Sequence, residues 1–422
     1  MESITGILKN GIRIAYLRSE SPVSHCGLMV DAGSRDEDPG KEGLAHFIEH
    51  LLFKGTEKRK AYQVLNRLEV VGGELNAFTT KEETCLHASF LTEHTERAME
   101  LLSDIFFHSV FPEKEMEKEK EVILDEINSY QDNPMEQIYD DFESLVFRGQ
   151  PLGNPILGTP DSVKSFKRKD LVQFVKNNYL NNSMVFSYAG NFPYEKVRNL
   201  CEKYLGSKGR KQVKQINKNT KALSNKKQVE TKKTIQAHYI TGGIAYSFHS
   251  PKRFPLFLMN NILGGPGMNS RLNMNIREKY GYTYQIESSY TPFRDCGLFS
   301  VYLATEKKFL EKTITLVGKE FEKLKNDRIG NAQLERFKYQ MKGQLAISQE
   351  NKAGVMINNA KSVLNYNNTV NIDEVFAKLD AITSSQLLEV SNEILSNSKI
   401  SSLLFNPAND DQNLKPTVVT TR

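Results

Sequence analysis

One polar, basic stretch divides this sequence and limits what the rest can fold into. Residues 208–233 (KGRKQVKQINKNTKALSNKKQVETKK) hold ten Lys or Arg, one Glu and no aromatic residue. Such a segment has too little apolar surface to offset the entropy of ordering it, so it reads as a solvated linker. It separates residues 1–207 from residues 234–422, and halves of about 200 residues have the size of ordinary domains. The linker also explains the charge. The formal net charge is +5, the linker alone carries +9, and the remainder is therefore close to −4. Basic charge outside a structured face, with no aromatic rings for bases to stack on, argues against a nucleic-acid partner.

No apolar run approaches the roughly 20 residues that span a bilayer, so no membrane partner is expected. The opening MESITGILKNGIRIAYLRSE lacks a basic segment followed by an apolar core and a small-residue cleavage site. The expectation is a cytoplasmic protein. Cys26, Cys85, Cys201 and Cys296 form no CxxC pair, which argues against a disulfide framework and against a Cys-based zinc site.

Each half mixes strand-like and helix-periodic segments. GIRIAYL and HCGLMVDAG alternate as strands do, residues 44–55 and AYQVLNRLEVV read as helices, and GGELNAFTT with TCLHASFL reads as a strand pair. EHTERAMELLSDIFFHSV and the segment from Glu113 to Tyr130 are two further helices, the second entered through Pro112. After the linker the theme returns: IQAHYITGGIAYSF and LFSVYLAT as strands, FPLFLMNNIL, FLEKTITLVGKEFEKLK and NAQLERFKYQMKGQLA as helices. The expected fold is α+β, with two duplicated domains related by pseudo-symmetry, each a mixed sheet packed with helices.

The chemistry concentrates on the helix at residue 44. Leu44, Phe47, Ile48, Leu51 and Leu52 form one apolar stripe, and His46, Glu49 and His50 fall on the opposite side. Two imidazoles four residues apart on a helix can share one ion. The Glu beside them suits a base that takes a proton from metal-bound water. A hydrolytic zinc needs a third protein ligand. His25, His87, His94, His108, His238, His249 or any carboxylate qualifies, and the acidic helix EKEMEKEKEVILDEINSY is the richest source. On it Glu119 and Glu126 share a face, and spacing alone does not choose between them.

These residues resemble the inverted-motif zinc peptidases, the pitrilysin, insulinase and mitochondrial processing peptidase family, whose mark is the order His-x-x-Glu-His. The segment VDAGSRDEDPGKEGLAHFIEHLLFKGT is similar to that family's, as are GGELNAFTTKEET, PLGNPILGT, FSYAGNF and SRLNMNIREKYGYTY. The resemblance implies one zinc ion per chain and a third ligand at Glu126, 76 residues beyond His50. It implies that Glu119 supports the ligands. It matches Asn76, Ala77, Phe78 and Thr79 to a substrate-lining strand. It also matches Arg277 and Tyr284 to an element that contacts the scissile carbonyl or the tetrahedral intermediate from the other domain. One departure is Cys85-Leu86-His87, where the family often has aromatic residues.

The expected activity is that of a zinc-dependent endopeptidase acting on small or unfolded peptides in an enclosed chamber. Family analogy at this length implies a homodimer, with a heterodimer of related subunits as the other arrangement. Two rival readings stand beside it. One is a catalytically idle scaffold subunit of the same family, the other an anionic-polymer-binding module built on the basic linker. LGGPGMNSRL lacks a following Lys-Ser/Thr and is no nucleotide loop.

Overall fold

The computed structural model describes residues 3–207, 209, 220, 225–369, 371–408 and 419–420. They fall into two compact units. One comprises Met1–Asn128, Asn154–Asn217 and Ala346–Ile372; the other comprises Ser129–Gly153, Lys218–Leu345 and Asp373–Arg422. The division is not the simple cut at the linker that the sequence suggests, because each half lends a segment to the other unit.

The first unit contains strands β1 (Ser3–Ile7), β2 (Arg13–Arg18) and β3 (Val23–Val30), then helices α1 (Leu44–Leu52) and α2 (Ala61–Glu69). Strands β4 (Glu74–Thr79) and β5 (Thr84–Leu91) follow, then α3 (Thr95–His108) and α4 (Glu113–Asp132), whose last residues belong to the second unit. Helix α5 (Pro134–Val146) lies wholly in the second unit; α6 (Pro160–Ser165), α7 (Arg168–Asn178), β6 (Met184–Gly190) and α8 (Tyr194–Leu205) return to the first. The second unit continues with β7 (Lys227–Lys232), β8 (Ala237–Ala245), α9 (Arg253–Gly264), β9 (Thr283–Pro292), β10 (Gly297–Thr305), α10 (Leu310–Asn326) and α11 (Asn331–Ser348). Helix α12 (Lys352–Tyr366) belongs to the first unit, and α13 (Ile372–Asp380), α14 (Ser384–Ile394), β11 (Ser401–Pro407) and β12 (Val419–Thr420) close the chain.

The two sheets have one topology. Their strand orders are β1-β2-β6-β3-β5-β4 and β12-β7-β11-β8-β10-β9. In each, the second and third strands pair in parallel and every other pair is antiparallel. The strand, helix, helix-pair order repeats as well: α3 and α4 follow β5 as α10 and α11 follow β10. The expected duplication of an α+β domain is thus visible in the backbone. The end of the basic stretch departs from the linker reading. Residues 227–232 are strand β7, half-buried at every second position, and the remainder of that stretch lies largely outside the described residues.

Both sheets are covered on both faces. On β3, Cys26, Leu28 and Val30 turn to a core shared with Phe47, Ile48 and Leu51 of α1 and Leu101, Leu102 and Ile105 of α3. On the opposite face Met29, Cys85 and Val185 meet Ala360 and Val363 of α12. In the second unit Ile138, Phe142 and Leu145 of α5 pack on Ile240, Leu403 and Phe405. Strands sandwiched in this way carry near-continuous apolar runs, and all seven residues of β6 and all nine of β10 are buried. The four cysteines are buried and form no disulfide.

Helix α1 is shorter than the expected 44–55. It ends at Leu52, with the Lys54 N–H turned back to the Leu51 carbonyl, and Gly55 at φ 131° carries the chain away in a conformation only glycine adopts readily. At its start Gly43 has φ 92°, and a Cβ there would lie 2.5 Å from the Leu157 carbonyl oxygen. That close approach locks the entry of α1 against the chain at Gly158.

Candidate metal centre

Helix α1 buries Leu44, Ala45, Phe47, Ile48, Leu51 and Leu52, and this packing turns His46, Glu49 and His50 toward α4. The imidazoles lie edge to face with centroids 4.5 Å apart. Glu126 completes the group: its Oε2 lies 3.9 Å from His46 Nε2 and 3.6 Å from His50 Nε2. One donor atom from each of the three residues lies within 4.8 Å of the others, the one group of this kind among the described residues. Tetrahedral zinc with bonds of about 2.0–2.1 Å separates its ligand atoms by about 3.3 Å. The Glu126 oxygen is within about 0.6 Å of that spacing from each imidazole, so the donor set fits zinc after a modest closure of the site.

The electrostatics fit as well. Burial, reinforced by the neighbouring His50, pushes His46 down to about 3, so its ring is neutral and keeps a lone pair to donate. Burial raises Glu126, and Glu119 adds to the rise while His50 opposes it. Burial also raises Glu49, with Thr79 and His50 pulling it down and Glu126 pushing it further up. Acids crowded and desolvated in this way are what a divalent cation relieves. The Glu49 Oε2 is buried without a hydrogen-bond partner, which leaves one carboxylate oxygen uncommitted.

Behind His50 stands a second carboxylate. Glu119 Oε1 lies 2.9 Å from His50 Nδ1, and its other oxygen is 2.7 Å from Lys54 Nζ. Burial would raise the Glu119 carboxyl, but the His50 and Lys54 donors outweigh it and hold it below the usual carboxylate range. Glu121 and Asp125 on the same helix are exposed.

The structure therefore gathers His46, Glu49, His50, Glu119 and Glu126 in one place. Asn76, Ala77, Phe78 and Thr79 lie on β4, an edge strand of its sheet, with Asn76 exposed and the others half-buried. Arg277 and Tyr284 belong to the second unit. Arg277 sits in a π-helical segment, Asn273–Glu278, with Nε 3.8 Å from Glu278. Tyr284, on edge strand β9, is 80 % exposed. Helix α9 follows β8 as α1 follows β3, and its Phe257, Asn260 and Asn261 have the spacing of His46, Glu49 and His50. Those side chains supply no imidazole or carboxylate, so the duplicated position lacks a metal set. The sequence reading missed Lys54, whose only sequence signal is a cation four residues after His50 at a helix end. It also missed Glu37, which caps α1 from outside the helix.

Residues 13–160 match the family model described as Insulinase (Peptidase family M16), and residues 165–341 match the Peptidase M16 inactive domain. An uncharacterized zinc protease of Bacillus subtilis is 34% identical over 89% of this chain and 91% of its own length. One from Rickettsia bellii is 31% identical over 94% of this chain and 96% of its own. In fold, a protease from Helicobacter pylori superposes with a TM-score of 0.88 at 22% identity, covering 96% of this chain and 99% of that one. A chain of complex III2 from Candida albicans gives 0.82 at 21% identity, covering 95% of each. With both halves matched and full-length relatives above 30% identity, the chain belongs to the insulinase family, peptidase family M16, as a zinc metalloprotease of its short, two-domain form.

Proposed function

We propose that this protein is an endopeptidase that hydrolyses small or unfolded peptides in an enclosed chamber, with zinc held by His46, His50 and Glu126 and with Glu49 as general base. The observation that carries this reading is the convergence of two imidazoles and one carboxylate beside a carboxylate with an uncommitted oxygen. Zinc bound there supplies positive charge that polarises the scissile carbonyl and acidifies the attacking water. Glu49 takes the proton of that water and returns it to the leaving amine; burial supports this by bringing the carboxyl closer to neutrality. Glu119 holds His50 by Nδ1, which leaves Nε2 directed at Glu126.

An edge strand suits a peptide substrate. Among the described residues no strand pairs with the outer side of β4, so a substrate backbone can add there in register, read by its main chain more than by its sequence. Asn76, Ala77, Phe78 and Thr79 then line the bound peptide, and Thr79 connects that strand to Glu49. The role assigned to Arg277 and Tyr284, donation to the carbonyl oxygen as charge develops, is supported by the family relation and by the exposure of Tyr284. The same relation supports a homodimer as the working form, which native mass measurement tests against a monomer or a heterodimer.

The likeness to a complex III2 chain favours no activity by itself, because the fold serves both kinds of protein. The scaffold reading is disfavoured by the intact His46, Glu49, His50 and Glu126. The deciding experiment is Glu49→Gln, assayed on a library of unstructured peptides with metal analysis alongside. Zinc should remain and turnover should vanish. A Glu49→Gln protein that still cleaves peptides would eliminate Glu49 as the base, and a wild type that neither binds zinc nor cleaves peptides would favour the scaffold.

A further inference from the structure

Helix α1 is nine residues long and has no capping side chain of its own. Its N-cap is Gly43, and its first turn carries no acidic residue. A helix leaves its first N–H groups without acceptors, and burying them unpaired is costly. Here the acceptor comes from outside the helix. Glu37, 9 % exposed, takes the Gly43 N–H on one carboxyl oxygen at 3.0 Å and the Ala45 N–H on the other at 2.8 Å. His46 is the next residue.

The two histidines are held differently. The His50 ring is fixed through Nδ1 by Glu119. The Nδ1 of His46 is buried and has no hydrogen-bond partner, so no polar group holds that ring from behind as Glu119 holds His50. Its placement depends on packing and on the backbone of the first turn. Glu37 anchors that backbone with two bonds, beside the Leu44 N–H on the Lys41 carbonyl at 3.2 Å, at a point where Gly43 is already pressed against the Leu157 carbonyl.

We propose that Glu37 is a positioning residue of the metal centre: by binding both N–H groups at the start of α1, it sets where His46 stands relative to His50 and Glu126. The inference rests on the zinc reading of that site. It predicts that changes at Glu37 act on metal binding and turnover, beyond the loss of stability that any missing cap causes.

The test compares Glu37→Gln, Glu37→Ala and a control, Asn351→Ala. Gln keeps the shape but offers only one acceptor oxygen, so one of the two N–H groups loses its partner. Asn351 caps α12 in the same unit, accepting the Gly354 N–H at 3.0 Å, and is far from α1 in sequence. Zinc affinity is read by competition with a chromophoric chelator, and the ligand field is read from the visible spectrum of the cobalt-substituted protein. Glu37→Gln should weaken zinc by about tenfold or more, shift the cobalt bands, and lower kcat while leaving KM for peptide unchanged. Asn351→Ala should lower Tm and leave zinc affinity unchanged. Wild-type zinc affinity and cobalt spectrum in Glu37→Gln would overturn the inference, as would an equal zinc loss in Asn351→Ala. If Glu37→Ala fails to fold, Glu37→Gln decides. A wild type that takes up no zinc overturns the metal reading itself, so the two failures are distinguishable.

Discussion

Glu119 holds His50 from behind: its Oε1 lies 2.9 Å from the His50 Nδ1, on the side of the ring away from Glu126. Because Glu119 is kept ionised by this bond and by Lys54, it can only accept, which assigns the Nδ1 proton to His50 and leaves Nε2 free to donate its lone pair. Glu119→Gln keeps the volume but can present an amide N–H to Nδ1 and favour the wrong tautomer. Zinc affinity should fall by about 10- to 100-fold, measured by chelator competition, with little change in far-UV circular dichroism. Unaltered affinity would mean that the hydrogen bond does not tune the ligand.

Glu126→Ala removes the one carboxylate of the three-donor group. Two imidazoles alone leave the site short of the three protein ligands that hydrolytic zinc uses. Purified Glu126→Ala should contain well under one zinc per chain by elemental analysis, and adding zinc should not restore peptide cleavage. Because Glu126 is raised by burial with no cation present, the metal-free variant should be at least as stable as the metal-free wild type. Stoichiometric zinc in Glu126→Ala would transfer the third-ligand role to another residue.

How much of this was legible in the sequence differs by element. His46, Glu49 and His50 could be read because one helix presents all three, and i, i+3, i+4 spacing converts directly into geometry. Glu126 could not, since its partner helix is 60 residues away and a charge run offers many equivalent carboxylates; only the family resemblance chose it. Strand β6 escaped the residue-level reading because it is buried on both faces and shows no alternation. The exchange of α5 and α12 between the units is a long-range packing outcome, with no local signal at either helix. The basic stretch misled at residues 227–232: β7 lies second from the edge of its sheet, where polar alternation is compatible with a strand.

The loop leaving α1 is tied to α3 by a buried charge pair. Arg59 contacts Asp104 at 2.5 Å and both oxygens of Glu100 at 2.8 Å, and Thr56 donates to Asp104 at 2.8 Å. Asp104 is 2 % exposed, so Arg59→Ala strands a buried carboxylate and should cost about 3 kcal/mol. Denaturant titration of the single and double variants would show it, with Arg59→Ala/Asp104→Ala losing less than the sum of the singles. Additive losses would mean the pair is solvated. Burial works against the ionised Asp104, but Thr56 and Arg59 outweigh it and lower its carboxyl. Its contribution should therefore be complete above about pH 4 and fade as pH falls below that value.

Asp141 predicts the opposite dependence. It lies on α5 next to Phe142, which is buried against β8 and β11, and burial together with Glu230 on β7 and with Asp140 raises its carboxyl to about 6 despite the counter-charge of Lys232. An unfolded Asp titrates near about 3.9. Between those two values the folded state holds a proton that the unfolded state has lost, so stability falls as pH rises through the window. Above about pH 6 the ionised Asp141 costs its full amount, about 3 kcal/mol for a shift of this size. Asp141→Asn removes the charge and keeps the shape. It should raise Tm at pH 7.5 by several degrees, and the gain should shrink steadily toward zero as the pH is lowered to about 4. A gain that is independent of pH would point to packing, and no gain at any pH would mean that Glu230 and Lys232 leave Asp141 adequately solvated.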